Sequence, residues 1–193
     1  MTRIVHHDSS LLELAQLSDY DRRMYGVLKT VSAIILVLGL FNPHASSADL
    51  AKPTGKTILT VGGDIRETNS AKEAHFDHKM LMALGMQTLR TTNPFETGVQ
   101  NFEGVLLRDV LKYVGAEGSL ITAYALDGYA VEIPVKDAMD YPILLAISWN
   151  GKEMTVRNKG PLWIVYPVEQ CGELKGEQYS ARSIWQLGRL VIH

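Results

Sequence analysis

Apolar and polar positions alternate along most of the stretch from Lys56 to His193, and a period of two predicts strands. KTILTVGGDI alternates up to Gly62–Gly63, a strand running into a turn. MQTLRT reads as a short strand, PLWIVYP as a strand bounded by proline at both ends, and IWQLGRLVIH as strand-rich. ITAYAL and YAVEIPV meet at Asp127–Gly128, and ILLAISW and KEMTV meet at Asn150–Gly151. Both dipeptides predict type I′ hairpins, because the glycine accepts the positive φ such a turn needs.

Helical spacing is rarer. In FEGVLLRDVLKYVGAEG, Leu106, Leu107, Val110, Leu111 and Val114 fall on one face, and Gly115 ends the helix. SAKEAHFDHKMLMALG predicts a second helix with two competing starts. Ser70 and Glu73 have the spacing of a capping box, while Asp77 is an alternative N-cap, with Gly85 at the C-terminal end. Strands do not alternate with helices in a βαβ series, which argues against a doubly wound sheet. The pattern predicts one α+β domain with mostly antiparallel or mixed β-sheets and two or three short helices.

The first 48 residues follow another pattern. Arg22, Arg23 and Lys29 precede an apolar run from Val31 to Phe41, then Pro43 and the small residues Ala45–Ala48. That order predicts a signal peptide cleaved after Ala48, with Met24 as a possible true start. The run is shorter than the roughly 20 residues of a membrane span, so an uncleaved anchor is the lesser reading. The expected division is an extension and signal peptide over 1–48 and a domain over 49–193, located in the periplasm or secreted.

Composition narrows the chemistry. Hydrophobic residues make up 46% and charged residues 21%, and the formal net charge of -2 offers no basic field for nucleic acid. Cys171 is the single cysteine, so neither an internal disulfide nor a multi-cysteine metal site can form; it reads as a free, partly buried thiol. His75 and His78 stand at i, i+3 beside Asp77, a spacing that can bring two imidazoles together, but a solvated helix start explains them better. Asp137 and Asp140 read as a polar turn. Arg157, Asn158 and Lys159 precede Gly160–Pro161 at the mouth of a strand. They form either an anion-holding loop or an ordinary solvated hairpin exit.

FEGVLLRDVLKYVGA, AYALDGYAVEIPV, LLAISWNGKEM, NKGPLWIVYP and the late Trp185 occur in one order. Together they resemble the oxidoreductase molybdopterin-binding domain, the sulfite-oxidase-like fold, over about Thr57 to Ile192, and look closest to its short stand-alone periplasmic members. The resemblance implies an α+β domain with mixed sheets. It also implies a cysteine thiolate on molybdenum, placed after a strand of the type Thr-Leu-Gln-Cys. Here that strand is TLRT, and Thr91 occupies the cysteine's place. A threonine hydroxyl stays protonated near neutrality and is a poor ligand for a soft metal. Where the family's enzymes tend to carry an arginine after Gly-Pro-Leu, this chain has Trp163. Where they tend to carry a pterin-anchoring lysine before the late tryptophan, it has Ile184.

The expected function is therefore a binding or accessory module without a metal or cofactor. Its candidate cleft has Arg90, Thr91, Thr92 and Asn93 of TLRTTNPF on one side, and Tyr129, Arg157, Asn158 and Lys159 on the other. A small anion, a pterin-like molecule or a segment of a periplasmic or membrane-protein partner is the expected ligand. Two other readings stay open: a molybdenum-cofactor oxidoreductase with unusual ligation, and a purely structural interaction domain.

Overall fold

LTVGG forms β1 (Leu59–Gly63), with Leu59 and Val61 buried, and AHF forms β2 (Ala74–Phe76) antiparallel to it. A computed structural model describes residues 50–193; the expected signal peptide lies outside the described residues. Asp77 then caps α1 (His78–Ala83): its carboxylate accepts from the Met80 N–H at 2.9 Å. Of the two helix starts that the sequence offers, Asp77 is the one used. Ser70 and Glu73 instead bridge each other across a tight turn.

β3 (Gln87–Asn93) turns back through Pro94–Phe95 into β4 (Glu96–Leu106), the longest strand described. The helical spacing that begins near Phe102 is thus realised only in α2 (Leu107–Tyr113), because Phe102–Leu106 pair as strand with β3 and with β7 (Leu144–Trp149). Gly104 allows this, since a Cβ there would stand 2.1 Å from the Leu145 carbonyl oxygen.

β5 (Leu120–Ala125) and β6 (Ala130–Pro134) form the expected hairpin. Its turn differs from the expected type. Gly128 N–H donates to Ala125 O, and only Gly128, at φ 90°, takes positive φ, so this is a longer turn closed by a glycine bulge. The Asn150–Gly151 turn between β7 and β8 (Lys152–Glu153) is the expected type, with both residues at positive φ. Residues expected as a polar turn around Asp137 form α3 (Val135–Asp140), and α4 (Glu177–Arg182) precedes the final strand. Four short α-helices are therefore present among the described residues.

β9 (Trp163–Val165) pairs with β7, and β10 (Leu187–Ile192) pairs parallel to β1 and antiparallel to β5. One sheet runs β2-β1-β10-β5-β6, and the other runs β3-β4-β7-β8 with β9 on the far side of β7. The run LLAISW is apolar almost throughout because its sheet is covered on both faces. Leu145 and Ile147 enter the main core, while Leu144 and Ala146 enter a second cluster with Leu89, Phe102, Met154, Trp163 and Val165. No helix among the described residues is long and apolar enough to cross a membrane.

Candidate functional site

Alternation along β3 decides where TLRTTNPF can act. Leu89 and Thr91 are buried, so Arg90 between them projects to the opposite face and is exposed. Arg90 and Thr91 therefore cannot line one cleft. Thr91 Oγ1 donates to the Thr92 carbonyl at 3.1 Å, lies 3.5 Å from the Tyr166 carbonyl, and accepts from the Glu169 N–H at 3.3 Å. Thr92 donates to Glu169 Oε1 at 2.6 Å. The segment carrying Cys171, remote in sequence, is thus folded against the Thr91 position, while Cys171 itself packs partly buried on the main core. Asn93 Oδ1 accepts from the Phe95 N–H at 2.9 Å and shapes the hairpin; its Nδ2 is buried and unpartnered.

The basic loop is divided as well. Arg157 is exposed on a 3-10 turn (Val156–Asn158). Asn158 is consumed by that turn, its Oδ1 accepting from Thr155 Oγ1 at 2.8 Å and from the Thr155 N–H. Lys159, in the left-handed region at φ 69°, turns inward to pair with Glu96. Its ammonium lies 5.2, 5.0 and 5.8 Å from the ring centres of Trp149, Trp163 and Trp185. It is already held by a carboxylate and three indoles, so the loop offers an incoming anion only Arg157. Of the eight predicted site residues, the structure brings Thr91–Asn93 together but leaves Arg90, Arg157 and Asn158 apart from them.

A different set converges on a cavity of about 510 Å³. Its walls are Pro94 and Phe95 from the β3–β4 turn, Tyr129 from the β5–β6 turn, and Ile184 and Trp185. Phe95 stands edge-on to Trp185 with ring centres 4.5 Å apart. Ser180, Ala181 and Ser183 form one side, and Asp127 and Glu177 supply two carboxylates. Tyr129 is the one predicted site residue in this lining. Asn93 and Thr92 line a small adjoining pocket of about 10 Å³, on the order of one water. Phe95, Glu177 and Trp185 were not foreseen as a group, because nothing in their spacing joins residues so far apart in sequence.

A partly buried polar network fixes the α4 side. Asp137, which has partners despite its isolated look in the sequence, accepts from Tyr166 Oη at 3.0 Å and from Arg182 Nη1 at 2.8 Å. Burial, with Asp137 beside it, holds the Tyr166 phenol well above its ordinary pKa, so it remains a donor. Asp140 pairs with Lys136. The two histidines do not converge: His75 lies in β2, 3.2 Å from Glu73, while His78 opens α1, 4.0 Å from Glu153. No group of three or more His, Cys, Asp or Glu residues among the described residues is placed to hold a metal ion.

The positions that the resemblance assigns to cofactor binding are built as core. Trp163 and Ile184 are buried, and Trp163 Nε1 donates to the Ser183 carbonyl at 3.2 Å. With a fully buried hydroxyl at position 91 and no lysine or arginine in the cavity lining, these residues do not fit a thiolate-held metal on a phosphate-bearing pterin. The fold itself is matched independently. The family description "oxidoreductase molybdopterin binding domain" matches residues 68–172, more than half of the chain. No curated protein matches it. By that match and by its two sheets, the chain belongs to the oxidoreductase molybdopterin-binding domain family.

Proposed function

We propose that the chain is a binding module of this family, holding a ligand in the cavity between the β3–β4 turn, the β5–β6 turn and α4, without redox chemistry of its own. The observation that carries this reading is Thr91. Its side chain is fully buried and its hydroxyl serves main-chain groups, so it lines neither the cavity nor the small pocket beside it. The burial of Trp163 and Ile184 supports the same reading, because apolar side chains stand at the sites of two anchoring charges, Ile184 packing on the main core while its edge walls the cavity. Fold alone does not carry the family's activity to this chain.

The ligand surface is apolar and aromatic with polar groups at its edge, and its volume suits a small molecule. The test is turnover. Protein from its native host, supplied with an artificial electron donor, should not reduce sulfoxide-type substrates above a heat-denatured control. Steady turnover that copurifies with the chain would overturn the reading and favour the oxidoreductase with unusual ligation.

A further inference from the structure

We propose that the cavity selects a cationic ligand, an amine carried on a flat apolar or aromatic body. This rests on the binding-module reading above. Two features of the lining point to it. Phe95, Tyr129 and Trp185 present ring surface, which attracts both apolar bodies and cations. Asp127 and Glu177 are the charged residues of the lining, and both are acidic.

The neighbouring charges are already committed. Arg182, on the same helix as Glu177, turns to Asp137 at 2.8 Å. Lys159, beside Trp185, is paired with Glu96. Neither supplies a countercharge to the cavity. Asp127 Oδ1 accepts from the Tyr129 N–H at 3.0 Å, which fixes the carboxylate at the turn and leaves Oδ2 for a ligand. The Glu177 side chain is exposed and makes no hydrogen bond or ion pair among the described residues. An anionic ligand would meet two like charges and an apolar wall, whereas an amine would meet two acceptors and three rings. This selectivity is opposite in sign to the anion site that the sequence predicts.

Calorimetric titration with tryptamine and indole-3-acetate tests the claim, since the two share a ring and differ in charge. Tryptamine should bind about tenfold or more tighter, because its ammonium meets two carboxylates that repel the acetate of the other probe. Asp127→Asn together with Glu177→Gln should remove most of that preference, and both substitutions preserve the turn and helix geometry. Ala181→Trp, on an exposed helical position of the lining, should abolish tryptamine binding while leaving the thermal transition in place. Equal or tighter binding of indole-3-acetate overturns the inference. So does binding of neither probe, or tryptamine binding that Ala181→Trp does not touch. None of these results produces electron-transfer turnover, so failure of the ligand class is distinct from failure of the binding-module reading.

Discussion

Lys159 and Arg90 look alike in the sequence, two cations in polar stretches, and the fold treats them in opposite ways. Arg90 sits on the outward side of β3, and its side chain makes no hydrogen bond or ion pair among the described residues. Lys159 is enclosed by Glu96 and three tryptophans. Arg90→Ala should leave stability within about 0.5 kcal/mol, as for most surface changes. Lys159→Met should cost about 1–2 kcal/mol, because it removes the cation–π contacts and strands the Glu96 carboxylate near the rings. Paired thermal melts check this; a large loss for Arg90→Ala with none for Lys159→Met would contradict the assignment. The difference was not legible in the sequence. The residue type was visible, but its enclosure depends on Trp149, Trp163 and Trp185, which three separate segments bring together.

Local elements were more legible, and each error has a physical cause. Asn150–Gly151 fixed its hairpin because both residues tolerate positive φ. At Asp127–Gly128 the same signal placed the hairpin correctly but not the turn type, since the register of β5 and β6 left room for an extra residue. β4 was hidden because the apolar spacing of α2 continues back into its last residues, while pairing with β7 keeps them extended.

Asp77 was legible as a cap, and its strength was not. The Met80 N–H donates to it at 2.9 Å, and the Gly55 and Thr54 N–H groups donate at 2.8 Å each from a segment far away in sequence. Led by the Met80 bond, these donors lower its carboxyl pKa from 3.8 to about 2. A folded-state pKa below the unfolded one stabilises the fold fully above about 3.8, and that contribution fades as pH falls towards about 2. Asp77→Ala should therefore lower the denaturation midpoint clearly at pH 7 and much less near pH 2. A deficit of equal size at both values would show that the charge on Asp77 does not stabilise the fold.

At the scale of the whole molecule, the fold class and the family were legible because hairpin signals and motif order survive in the chain. The site was not, because it is assembled from the ends of unrelated elements: the β3–β4 turn, the β5–β6 turn and the α4 segment. The sequence did register the missing thiolate at position 91. It did not show that the position is sealed into the main-chain framework, or that the family's anchor positions had become core.

That replacement of a metal centre by packed framework is the central claim. The most direct test is the molybdenum content of the protein purified from its native host, measured by mass spectrometry beside total protein by amino-acid analysis. The account predicts a molybdenum-to-chain ratio indistinguishable from the buffer background, unchanged by Thr91→Val. A stoichiometric ratio that persists through gel filtration would contradict it.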